Sequence, residues 1–292
     1  MRPAGEPAEP SAERMQLDLF RSLPGELAPR DAQDLMAYPF FSLGKSRRIE
    51  PIDYRAGGVL IRVEGTREHG IATIWDADVL IWAASQLVHA RDAGLRTSRL
   101  MATTPYEILR FIRRGTSLRD YQRLRAAFDR LQSTTIATSL RQAASRRMHR
   151  FSWLNEWKER FDCRGEPLGV ELIVPEWFYT GVLDASLVLA IDPAYFALTG
   201  GIERWLYRIV RKHGGRQKHG WCFDFRHLHV KSGSLARFSD FALDLRKIVD
   251  RQPLPGYRLA VEREGGLEWL SFRSIRTGLP ELRVLSSSGG NL

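Results

Sequence analysis

The sequence predicts an α+β fold of two similar units in series, and three observations predict it. Apolar residues recur at helical spacing in several stretches, with short β-rich runs between them. The order of these elements occurs twice, once over residues 38–183 and again over residues 184–275. The second copy holds the most basic part of the chain: residues 200–231 carry eight Lys or Arg against two acids, a net charge of +6.

Length and composition narrow the function. At 292 residues the chain can form two modest domains of the ~100–200 residues usual for one. A net charge of +10 suits nucleic acid or an anionic surface as partner. No apolar run approaches the ~20 residues that span a bilayer, and the N-terminus lacks the basic start and apolar middle of a signal peptide. No membrane association is therefore expected. Cys163 and Cys222 make no paired motif, and a reducing cytoplasm is the expected location. Residues 1–37 are rich in Pro, Ala and Glu and read as a disordered tail, as do residues 276–292, which end in SSSGGNL.

In the first unit, residues 59–63 (VLIRV) and 71–75 (IATIW) read as a hairpin around EGTREHG. Asp76 is placed to cap a helix through about Arg91, and Pro105 can begin a second. Ser117 and Asp120 read as a capping pair for a third helix. Its buried stripe is Tyr121, Leu124, Phe128 and Leu131, with Arg119, Gln122, Arg123 and Arg130 opposite. Residues 134–140 and 148–153 read as strands joined by the basic turn RQAASRR. Three helices and a hairpin make the winged-helix variant of the helix-turn-helix, whose third helix enters the major groove while the wing touches phosphates.

The second unit follows a strand at 169–174, a short helix at 177–182 and a strand at 187–191. Ile202, Trp205, Leu206, Ile209 and Val210 lie on one face of a helix that Gly214 and Gly215 end. Residues 221–225 read as a strand, 226–230 as a second helix and 234–251 as a third. Pro253 and Pro255 stop the third helix, and residues 257–262 and 268–272 form the wing. The fold class expected is thus α+β, with two tandem winged-helix domains between disordered tails.

Other chemistry has little support. His213, His219, His227 and His229 cluster around Cys222, but the spacing is looser than that of structural zinc sites, and no metal is expected. His227-Leu228-His229 on a strand would place both imidazoles on one face, as in metal-dependent rolling-circle nicking enzymes. The tyrosine order is wrong for that chemistry, since Tyr207 lies upstream of the pair and Tyr257 in a wing strand. There is no P-loop, nucleophile elbow or HExxH motif, so neither enzymatic activity nor a cofactor is expected.

One apolar island interrupts the N-terminal tail: Gln16, Leu17, Asp18, Leu19 and Phe20. Three large apolar side chains in such a segment suit a linear docking motif. The pentad resembles the QL-x-LF peptide with which bacterial proteins bind the replicative sliding clamp. More of the chain carries a wider resemblance. YPFFSLGKSRRIEPIDYRAG from Tyr38, EGTREHGIATIWDADVLIWAASQ from Glu64, LTGGIERWLYRIVRKHGGRQ from Leu198 and FDFRHLHVKSGSLARFSDFALDLRKIV from Phe223 resemble the plasmid replication initiator protein A family. Further matching stretches extend this to residues 38–273.

The resemblance implies a DNA-binding initiator that recognises origin repeats, promotes opening and recruits host proteins, and that acts as a dimer when it represses its own promoter. Its partners would be the double-stranded origin, the host sliding clamp, the replicative helicase and an initiator ATPase. Helix geometry nominates Arg237, Ser239, Asp240 and Lys247 in the second unit, and Arg119, Gln122 and Arg123 in the first, to read bases. Arg141, Arg146, Arg147, Arg204, Arg208 and Lys212 are the expected phosphate contacts. Two other readings fit the same residues: a nicking enzyme, and a transcription repressor with no replication role.

Overall fold

The computed structural model describes residues 11–142, 147–214 and 220–275. Residues 11–37, expected as a tail, fold onto the first unit instead. Ser11 caps α1 (Ala12–Met15), and β1 (Leu19–Arg21), β2 (Arg30–Ala32) and α2 (Gln33–Ala37) follow. Composition hid this because a few residues do the anchoring. Phe20, Leu35 and Met36 enter the core, while Arg14 is buried between Glu156, at 2.6 Å, and Glu171.

β3 (Ile52–Ala56) and β4 (Val59–Glu64) form a hairpin turned at Gly57 and Gly58, both with positive φ. The sequence had paired β4 with residues 71–75. That run instead lies beside Ser42, with Ile74 N donating to Ser42 O at 2.9 Å, and leads into α3 (Ala77–Asp92). Asp76 makes no side-chain cap on α3 and accepts from Thr73 N at 2.7 Å and from Arg130. α3 is buried on nearly every side.

Next come β5 (Leu100–Thr103), α4 (Pro105–Phe111) and α5 (Leu118–Ser133). Capping boxes start both helices, Thr104 with Glu107 and Ser117 with Asp120, and Leu124, Phe128 and Leu131 form the buried stripe of α5. β6 (Thr135–Thr138) and β7 (His149–Ser152) join the first hairpin in a sheet of order β3-β4-β6-β7. β8 (Glu156–Phe161) and β9 (Pro167–Ile173) build a different sheet, β1-β5-β9-β8, in which β1 lies parallel to β5. α6 (Glu176–Leu183) and β10 (Val188–Ala190), paired with β2, lead to the second unit.

That unit is α7 (Gly201–Gly214), β11 (Trp221–Asp224), α8 (Phe225–Ser232), α9 (Phe238–Arg251), β12 (Tyr257–Glu264) and β13 (Leu267–Ser274). Its sheet has the order β11-β13-β12. The strand before the helix pair therefore pairs with the last strand of the hairpin. β5, β9 and β8 repeat that connectivity, so the hairpin equivalent to β12–β13 is β8–β9. The sequence had given this place to β6–β7, which is an insertion between the third helix and its hairpin.

Buried apolar residues from Phe20 to Phe272 form one core cluster across both units. Two ion pairs cross it. Arg204 and Asp78 are both fully buried and meet at 2.8 Å, and Arg208 meets Asp31 at 2.7 Å. Truncating one partner of such a pair strands a buried charge, at a cost of about 3–5 kcal/mol. Asp78→Ala should therefore lower the denaturation midpoint steeply, while Asp78→Leu combined with Arg204→Met should recover much of the loss. Chemical denaturation of the two variants checks this.

Candidate nucleic-acid interface

The outer faces of α5 and α9 present the side chains nominated to read bases. On α5, Arg119, Gln122 and Arg123 are exposed, and Arg123 has only a loose contact with Asp120 at 3.8 Å. On the second unit, Arg237 precedes α9 with its side chain exposed, and Ser239, Asp240 and Lys247 are exposed along it. Lys247 lies 3.7 Å from Asp244. Exposed pairs of this kind contribute little and exchange readily for a partner. The helices are placed by their buried stripes, Leu124, Phe128 and Leu131 on α5 and Phe241, Leu245 and Ile248 on α9.

The expected phosphate contacts fare differently. Arg204 is fully buried: its Nη1 donates to Asp78 at 2.8 and 2.9 Å, its Nε to Leu198 O at 2.7 Å and its Nη2 to Phe196 O at 3.0 Å. Arg208 is held by Asp31 in the same way. Both lie too deep to meet DNA, because α7 is covered on more sides than its apolar stripe implies. Burial pushes the Asp78 carboxyl up to about 6, and the Arg204 charge pulls against that shift.

Arg141 is also engaged inside the fold. It adopts a positive φ, stacks over Trp177 at 3.7 Å, donates to Trp177 O and pairs with Asp34 at 2.8 Å. Lys212 is half-buried, and desolvation lowers its ammonium pKa. Arg147 is exposed, and Arg146 lies outside the described residues. None of these belongs to the hairpin β8–β9.

The described histidines of the cluster, His213, His227 and His229, pack against aromatic rings. His227 and His229 lie on helix α8 rather than a strand, so they do not share a face. His227 stacks on Phe223, while His229 Nε2 lies 2.8 Å from Ala236 O and its ring packs on Phe241. His213 meets Phe223 edge-on, Cys222 is exposed on β11, and His219 lies outside the described residues. Among the described residues no three potential metal ligands gather. Tyr207, the nucleophile considered for nicking, is buried, and its hydroxyl accepts from Asp192 N at 2.7 Å.

In the clamp-like pentad, Phe20 is 7% exposed whereas Leu19 is 40% exposed. Leu17 is half-buried, Asp18 is exposed, and Gln16 closes α1. Sequence reasoning passed over Lys45 and Arg47, exposed in a loop that lines a groove beside α5. The basic run GKSRR was the available signal.

Known proteins fit this architecture. The family model of replication initiator protein A matches residues 30–259. A putative replication protein of Wigglesworthia glossinidia brevipalpis is 32% identical over 229 residues, covering 77% of this chain and 82% of that protein. This chain belongs to the replication initiator protein A family. Two crystal structures of domains 2 and 3 of RctB share the fold at 16% identity. One, a selenomethionine derivative, superposes with a TM-score of 0.60 over 83% of this chain and 98% of its own; the other gives 0.54 over 83% and 97%. No helix of the described residues is long and apolar enough to cross a membrane.

Burial, with Lys212 and Lys231 nearby, pushes His213 down to about 4 from its ordinary value near 6.5. The unfolded chain then binds more protons than the folded one between those values, so stability rises with pH across that window and is lost as pH falls through it. The loss should be about 1–2 kcal/mol once solvent screening is allowed for. Asp78, raised to about 6, contributes the opposite slope over much of the same window, so the His213 share is read as the difference in melting temperature between the wild type and His213→Phe, which should shrink as pH falls from 7 to 4.5.

Proposed function

We propose that this chain is a sequence-specific double-stranded DNA-binding initiator of plasmid replication, built on two winged helices that lay α5 and α9 in the major groove. One observation carries the reading. The third helix of each unit keeps a polar outer face, while the most basic helix, α7, has Arg204 and Arg208 inside the protein. Arg237, Ser239, Asp240 and Lys247 read bases in one unit, and Arg119, Gln122 and Arg123 in the other. The work is stoichiometric: repeated binding strains neighbouring duplex, and A·T-rich DNA opens most easily. A helicase and an initiator ATPase of the host complete the opening, and a homodimer represses the chain's own promoter.

Recruitment of the host sliding clamp through Gln16, Leu17, Asp18, Leu19 and Phe20 carries a condition. Phe20 must leave the core and β1 must leave β5 before the pentad can be bound. The two apolar anchors therefore differ as test positions. Phe20→Ala should cost about 3–5 kcal/mol of stability and so cannot isolate clamp binding. Leu19→Ala should reduce clamp retention in a pull-down while melting temperature and DNA footprint stay unchanged.

Footprinting on the chain's own replicon tests the central reading. Direct repeats should be protected, and Arg237→Ala with Lys247→Ala should erase the protection, each position contributing about 1–3 kcal/mol. Uniform coating of all sequences would reduce the protein to a nonspecific binder. A repressor without a replication role would give the same footprint but would fail to maintain a plasmid lacking its own initiator gene.

A further inference from the structure

A groove of about 710 Å³ runs between α5 and the loop of residues 44–48. Lys45, Arg47, Arg114 and Arg123 line it together with Glu68 and Asp120, with Trp75 in its wall. Much of this charge lacks a close internal partner. Arg130, also in the lining, is held by Asp76 at 2.7 Å, but Arg123 has only the 3.8 Å contact with Asp120. Arg114 lies 3.7 Å from Asp78, which Arg204 holds more closely. Lys45 sits 5.6 Å over the Trp75 ring, and Arg47 donates to Glu68 O at 2.9 Å. Among the described residues neither of these two has a carboxylate within ion-pair distance.

The loop is fixed to both units. Arg48, 9% exposed, donates to the carbonyls of Glu50 at 2.9 Å and Pro51 at 3.0 Å, and to that of Gly233, between α8 and α9, at 2.6 Å. Ile71 N donates to Arg48 O at 2.8 Å. At Gly201, where α7 begins, a Cβ would lie 1.9 Å from Leu43 O, so α7 crosses the start of the loop with no room for a side chain. A cationic loop anchored this way loses little further freedom on binding.

We propose that this groove receives the sugar-phosphate backbone of the duplex whose bases α5 reads, with Lys45 and Arg47 as its phosphate contacts. This rests on the reading of α5 given above. Arg123 connects the two surfaces, because it lies on the outer face of α5 and also lines the groove. A duplex seated on α5 thus brings a backbone to the groove mouth. Lys45 and Arg47 supply there the neutralising charge that Arg204 and Arg208 cannot supply. Such contacts position the protein and carry no sequence information.

Titration of the full-length protein with an origin-repeat duplex and an unrelated duplex, over a range of salt, tests this. Lys45→Ala with Arg47→Ala should weaken both duplexes equally, roughly twenty-fold near physiological salt, and reduce the slope of log K against log salt by about 2. The melting temperature should not change. Arg119→Ala with Gln122→Ala should instead weaken the repeat more than the unrelated duplex and so reduce the preference. An unchanged slope in the loop variant, while the wild type still prefers the repeat, overturns the groove assignment alone. A wild type with no preference overturns the reading of α5 beneath it. A loop variant that keeps both duplexes but loses an unpaired strand of equal length shows a single-strand groove and also overturns the proposal.

Discussion

Two buried arginine–aspartate pairs fix the relation between the halves of this protein. Arg204 and Arg208 lie one turn apart on α7 and reach Asp78 in α3 and Asp31 in β2. Taking such ions out of water costs several kcal/mol each, so pairs of this kind are weak contributors to net stability. What they supply is register: α7 can satisfy both guanidinium groups only where both carboxylates stand. The Arg204 pair is the more complete, since carbonyls of Leu198 and Phe196 engage its two other nitrogens, whereas Arg208 Nη1 has no hydrogen-bond partner among the described residues. Trp205 on α7 meets Phe241 on α9 edge-on at 6.1 Å, so α9 inherits the placement that the ion pairs give α7. α9 is therefore tied through α7 to α3 and β2.

Much of the second unit was legible in the sequence because its signals are local. The stripe on α9, Gly214 at the end of α7 and the EGG turn each act within a few residues, and α7, α8, α9 and the β12–β13 hairpin stand close to where they predict. The first unit was harder. Its hairpin β8–β9 follows an insertion, and a strand's partner is set by packing at a distance rather than by its own residues. Two adjacent hairpins after one helix look alike locally; only the pairing of β5 with β9 separates them.

The arginines misled for a related reason. A basic residue opposite an apolar stripe usually faces solvent, but α7 is packed on more than one side. A signal did exist in the chain. Asp78 stands in the apolar run ADVLIWAAS, where a carboxylate on a helix buried all round requires a buried cation. The buried acid implies a cationic partner, although no periodicity names Arg204, 126 residues away.

Under the docking proposed above, the N-terminal strap meets two demands. β1 covers the edge of β5 with a parallel pairing, and an uncovered edge there would offer free backbone groups to any extended chain. Phe20 closes the core beneath it, while Leu19 points away. A docking peptide needs both apolar side chains on its partner, so the covered and the docked states exclude each other. The strap is held by side-chain charge as well as by backbone: Arg14 binds Glu156 and Glu171, and Glu13 binds Arg99 at 2.6 Å. Any partner that takes the pentad must offset those contacts together with the burial of Phe20. Binding at this segment is thereby coupled to the β5–β9 sheet that supports α4 and α5.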